Sequence, residues 1–202
     1  MNVRIQQSFS FLAGVFDSTE GLLMNEYSLT LDLITNTVDS VEQNIAFDRV
    51  NYFIDNIVSN AVFVCDTDSD TGKHLHSAGI RVITLPEEPY DQIVGLALYA
   101  KLNAIMEQRM FITDCEISSR NGRHVSYMHA AEESIGPFEL PGWWNDSGLT
   151  FCNKKLLARD KKVVKLVKSE DSWRNFNLDW EAGAEEPSES NVVVVKFDHE
   201  KE

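Results

Sequence analysis

The chain has 202 residues, 43% hydrophobic and 25% charged, with a formal net charge of -14. That length can bury a substantial core, and the composition is that of a globular protein. The acidic balance argues against direct nucleic-acid binding, which depends on Lys and Arg neutralising phosphates. No apolar run approaches the roughly 20 residues that span a bilayer, so no membrane association is expected. The three cysteines, Cys65, Cys115 and Cys152, are far apart and form no CxxC pair. With no secretory h-region at the start of the sequence, a reducing, cytoplasmic location is expected.

Taken in order, residues 3–16 alternate loosely and predict a strand, followed by a turn at 17–21. Residues 27–34 alternate clearly, with Tyr27, Leu29, Leu31 and Leu33 on one face and Ser28, Thr30 and Asp32 on the other. That pattern predicts a half-buried antiparallel strand, closing a long hairpin over residues 3–34. A turn at 36–43 and a short strand at 44–47 come next. Asp48 is then the expected N-cap of a helix over 49–59, where Val50, Phe53, Ile54, Ile57 and Val58 form one apolar stripe. Residues 61–65 and 80–85 read as apolar strands around a polar loop at 66–79. The broad stripe of Val94, Leu98, Leu102 and Ile105 predicts a helix over 91–107 buried against a sheet. Residues 111–117 and 123–128 flank Asn121-Gly122, a strong hairpin signal, and the first of these strands carries Glu116 at its tip.

This order gives an α+β fold, an antiparallel sheet with two helices packed on one face. Residues 1–129 form this domain. Residues 130–181 form an aromatic-rich extension with Trp143, Trp144, Trp173 and Trp180, and residues 182–202 an acidic linker and a terminal strand at 192–197. The tryptophans lack the basic groove that accompanies nucleic-acid stacking platforms, so they are expected to anchor a protein partner or subunit. Asp66, Asp68 and Asp70 open like a calcium loop, but Thr71 and Ser77 stand where that motif needs Gly and Glu. His74 and His76 have metal-like spacing in a segment expected to be solvated.

Ser8-Phe9-Ser10-Phe11, then Asn25-Glu26-Tyr27, then Pro89-Tyr90-Asp91-Gln92 opening a helix, then Cys115-Glu116-Ile117 at a strand end, occur in a fixed order. That ordered set resembles the tunnelling fold (T-fold), the family of 6-pyruvoyl-tetrahydropterin synthase and 6-carboxy-tetrahydropterin synthase. The resemblance covers residues 3–128 and implies an oligomeric barrel. It also implies that Glu116 anchors the amino-pyrimidine edge of a pterin or purine, with Tyr90 stacking on the heterocycle or closing the site. The family's zinc histidines and catalytic Cys have no counterparts here: Leu12-Ala13-Gly14 and Met24-Asn25-Glu26 occupy those places, and Ser59-Asn60-Ala61 replaces the family's Leu-Asp-His motif.

The resemblance therefore implies a protein with no metal, no cofactor and no catalytic residue, which assembles with itself and binds a small heterocycle, a protein partner, or both. Two other readings stay open. One is a diverged pterin- or deazapurine-pathway lyase or cyclohydrolase. The other is an acidic interaction or inhibitor protein with an empty pocket.

Overall fold

The computed structural model describes residues 4–152 and 172–178. In order, the elements are β1 (Arg4–Asp17), β2 (Gly21–Thr35), α1 (Ser40–Tyr52), β3 (Val62–Cys65), α2 (Ser69–Ser77), β4 (Val82–Leu85), α3 (Asp91–Met106), β5 (Met110–Ser119) and β6 (Tyr127–Ala130). The strands form one six-stranded sheet in the order β4-β3-β1-β2-β5-β6. The fold is α+β. Strands β1, β2, β5 and β6 pair antiparallel, with α1 and α3 packed on one face, as the sequence predicts. Strands β3 and β4 extend this sheet in parallel, so the whole sheet is mixed.

The β1–β2 hairpin follows from its ends and its alternation. Asp17 Oδ1 accepts the backbone N–H groups of Thr19 (2.7 Å) and Glu20 (3.1 Å), and Gly21 takes φ +82°, closing the turn without a Cβ clash. Tyr27, Leu29, Leu31 and Leu33 all turn towards α1 and α3 and are buried. Opposite them, Ser8, Ser10, Ser28 and Thr30 occupy the face those two helices leave uncovered.

The β2–β5 pairing shifts register between Asp32 and Leu33. Asp32 lies opposite Asp114 while Leu33 lies opposite Ile112, leaving Thr113 as the extra residue of a β-bulge. The bulge changes which face successive residues take. Met110 and Ile112 point to the helices before it, and Cys115, Ile117 and Ser119 after it.

Three elements differ from the sequence expectation, one of them the second hairpin strand, which is expected over 123–128 and lies at Tyr127–Ala130. Residues 44–47 are helical rather than extended, because the first helix starts at Ser40. Its N-cap is Asp39, whose side chain accepts from Val41 N at 2.9 Å, not Asp48. Ile45, Ala46, Arg49 and Val50 turn inward from α1, and a π-helical turn (Phe53–Val58) continues it and buries Phe53, Ile54, Ile57 and Val58. The Asp39→Ala variant should lose about 1 kcal/mol of stability in urea unfolding, while Asp48→Ala stays within about 0.5 kcal/mol of wild type. Equal losses would mean that the cap is not where the helix begins.

The expected loop at 66–79 contains α2. It lies on the face opposite α1 and α3, where Leu75 and Ile80 pack on Val62, Val64 and Val82. The parallel strands are therefore covered on both sides, as strands of that type usually are. His74 and His76 are exposed on α2. Two positions apart on a helix, they do not share a face.

Trp143, Trp144 and Trp173 of the predicted extension belong to the core. Trp143 Nε1 donates to Thr84 O at 2.7 Å, Trp144 Nε1 to Phe138 O at 2.8 Å, and Trp173 Nε1 to Ser147 O at 2.7 Å. All three side chains are buried in the same cluster as α1 and α3. Trp180, the acidic linker and the strand expected at 192–197 lie outside the described residues.

Lys101, in the middle of α3, fixes the loop that carries Trp143. It is fully buried, and its ammonium donates to the carbonyls of Trp143 (3.1 Å), Asp146 (2.5 Å) and Gly148 (2.8 Å). Three donors meet three acceptors, and the rings of Phe53 and Trp143 lie 5.7 and 5.9 Å from Nζ.

Candidate functional site

Glu116 does not sit at a strand tip, because β5 continues to Ser119. It lies mid-strand, paired with Thr30 on β2 and Met128 on β6. Its neighbours Cys115 and Ile117 are buried under α3, so alternation directs Glu116 to the open face. The bulge at Thr113 decides this, since without it Glu116 would share the face of Ile112. The side chain is half-buried, and among the described residues its carboxylate has no hydrogen-bond or ion-pair partner.

Tyr90 is the N-cap of α3, with 65% of its surface exposed. It begins a helix on one side of the sheet while Glu116 projects from the other, and within one chain the structure does not bring the two together.

The strand tip facing the helix is Ser119. Its Oγ donates to Asp91 Oδ2 at 2.6 Å and accepts from Gly122 N at 3.0 Å, tying the β5–β6 turn to the first residue of α3. Asn25, also buried, accepts from Asn121 N at 3.0 Å and fixes the same turn from β2. Beside them Tyr27 is stacked on Phe11 with ring centroids 5.3 Å apart, and burial raises its phenol pKa. These contacts hold the β5–β6 hairpin rigidly against the start of α3.

That arrangement leaves an open cleft of about 430 Å³ between α3 and the hairpin. Gly95, Leu96 and Ile117 form its apolar floor, and Tyr127 with His129 line the strand side. His129 stands directly across from Cys115 in the β5–β6 register, and its ring meets Tyr99 edge-on at 4.5 Å. Its Nδ1 lies 3.6 Å from Glu133 Oε2, and its Nε2 is buried with no hydrogen-bond partner. Burial pushes the Cys115 thiol up to about 12, so in the free protein it is an inert thiol rather than a nucleophile.

His129 and Glu133 were not singled out together from the sequence. The Asn121-Gly122 signal marks the turn between the two strands, but the second strand starts at Tyr127 rather than at 123, so the register that brings His129 across from Cys115 does not follow from it. Among the described residues, no group of three or more His, Cys, Asp or Glu side chains is placed to hold a metal ion. No helix among them is long and apolar enough to cross a membrane.

No protein-family model matches the chain, and no curated protein matches it in sequence. Among solved structures it is similar to an uncharacterized protein of Wolinella succinogenes, with 11% identity and a TM-score of 0.48 over 65% of this chain and 99% of that one. It is also similar to two catalytic-residue variants of the 6-pyruvoyltetrahydropterin synthase of Plasmodium vivax. One has 11% identity and a TM-score of 0.40, the other 10% and 0.41, each covering 64% of this chain and 97% of that one.

Proposed function

We propose that the protein works by binding rather than by catalysis, as a cytoplasmic self-assembly whose open sheet face carries a planar heterocycle of pterin or purine type. The observation that carries this reading is the state of Glu116, a half-buried carboxylate on the open face with no partner among the described residues. A carboxylate so placed accepts two parallel hydrogen bonds from adjacent N–H groups, and an amino-pyrimidine edge supplies them. Thr30 on one side adds a hydroxyl, and Met128 on the other, 76% exposed, offers a polarizable apolar contact. In this reading the Tyr90 that covers the ligand comes from a neighbouring copy, because within one chain it starts on the opposite side of the sheet.

Assembly is supported by the sheet's edges. Among the described residues, strand β6 is four residues long and lies at one margin, and β4 lies at the other. Such margins leave main-chain donors and acceptors available to another chain. Parts of the predicted extension lie outside the described residues, and recruitment of a protein partner through them belongs to the same proposal.

Native mass spectrometry of the wild type beside Glu116→Ala tests it. The expected result is a symmetric oligomer carrying an adduct of heterocycle size that the variant loses while keeping its subunit count. Bare monomers in both samples would overturn both parts.

A further inference from the structure

We infer that the cleft between α3 and the β5–β6 hairpin is a second binding site, selective for an organic cation: an ammonium or guanidinium group on a short apolar stem. It is distinct from the open-face site: Gly95, Leu96, Ile117, Tyr127 and His129 lie on the helical side of the sheet, and Met128, the register partner of Glu116, is the one lining residue that also borders the open face.

The chemistry of the lining selects the charge. Among the described residues, Glu133 contributes the one carboxylate of the lining, and none of the lining residues is Lys or Arg. Glu133 Oε2 is engaged, accepting from Ala130 N at 3.2 Å beside His129 Nδ1, while Oε1 has no partner among the described residues. Burial raises the pKa of neighbouring Tyr99, and the negative charges of Asp114 and Glu132 act on it in the same direction. The acids around this end of the sheet therefore add to the field of Glu133, which favours a positive guest and disfavours an anion.

The shape selects the stem. Gly95 has no side chain, and Ile117 lies directly beneath it, so the floor beside Leu96 is flat and apolar. Tyr127, 40% exposed, supplies an aromatic wall, the partner that an ammonium or guanidinium prefers among apolar surfaces. At the strand side, His129 Nδ1 lies 3.6 Å from Glu133 Oε2, and its Nε2 is buried with no hydrogen-bond partner among the described residues. A volume of about 430 Å³ falls within the range of small-ligand pockets.

Two sources carry this chemistry, a free small amine and an arginine side chain of another protein. The full chain is titrated with agmatine, with a capped Gly-Arg-Gly peptide and with pentanoate, following the backbone amide resonances of residues 127–134. We expect both cations to shift these resonances with a Kd on the order of 0.1–1 mM, and pentanoate to shift none. Glu133→Gln, which keeps an oxygen for Ala130 N, should weaken cation binding by roughly tenfold. Tyr127→Leu should weaken it several-fold, and Glu116→Ala should leave it unchanged.

Tighter binding of the peptide assigns the site to a protein-borne arginine, and tighter binding of agmatine to a free amine. Pentanoate binding as well as agmatine, no shift with either cation, or unchanged affinity in Glu133→Gln would overturn the inference.

Discussion

Lys101→Met should lower the unfolding free energy by about 3–5 kcal/mol, the range in which one partner of a buried charged contact is removed. Methionine fills much the same volume, so the loss comes from the acceptors left behind. The carbonyls of Trp143, Asp146 and Gly148 each lose an N–H donor. Equilibrium urea unfolding measures this, and a loss below about 1 kcal/mol would show that water replaces the ammonium at all three.

The same residue makes stability depend on pH. Burial lowers the Lys101 pKa from 10.5 to about 8, against a smaller upward pull from Asp146. Between these two values the unfolded chain binds more protons than the folded one, so the stability of the wild type rises with pH across that window. The cost of burying the charge is present in full below about pH 8 and is relieved as pH approaches 10.5. The stability difference between wild type and Lys101→Met should therefore widen over this interval. A difference that narrows would mean that the three carbonyls hold the ammonium charged more strongly than burial discharges it.

Gly95→Val should cost about 3 kcal/mol, at the upper end for overpacking. A Cβ at position 95 would stand 2.6 Å from Ile117 Cγ2 and 3.4 Å from Ile117 Cβ. Ile117 is 2% exposed and β-branched, so its methyl cannot swing aside. Valine does improve on glycine's helix propensity, but by well under about 1 kcal/mol. Ile117→Ala removes the opposing methyl. The Gly95→Val/Ile117→Ala pair should be more stable than the sum of the two single losses, by about 1–3 kcal/mol in a double-mutant cycle. Strict additivity would place the strain elsewhere.

Most of the antiparallel part of this fold can be read from local pattern, and the reasons the rest cannot are specific. Tyr27 to Leu33 alternate without interruption, and Val94 to Ile105 keep one helical stripe, so β2 and α3 were legible. The first helix is capped by Asp39 rather than the expected Asp48, because most of the apolar periodicity that pointed to Asp48 belongs to the π-helical turn that prolongs α1. Helix α2 commits one inward apolar residue, Leu75, to its contact, too little for a periodic signal. Glu116 is legible as an acid on this strand, but its face depends on the bulge at Thr113, which no residue type announces. The cleft is less legible still, since His129 and Glu133 gain meaning only once hairpin register places them beside Tyr99 and Cys115.

Strand β2 sits between β1 and β5, and these two partners are made at very different moments. The hairpin with β1 can close once residue 35 has left the ribosome. Its greasy side, Tyr27 to Leu33, is not fully roofed until α3 is complete, and its free margin is not occupied until β5 is made. At about 5–20 residues per second, the 75 residues between positions 35 and 110 take roughly 4–15 seconds to synthesise. Throughout that interval the nascent chain displays an apolar ribbon with an open edge, the kind of surface that chaperones hold. Production of this protein should therefore respond to translation speed between α1 and β5 more than to any change after position 130.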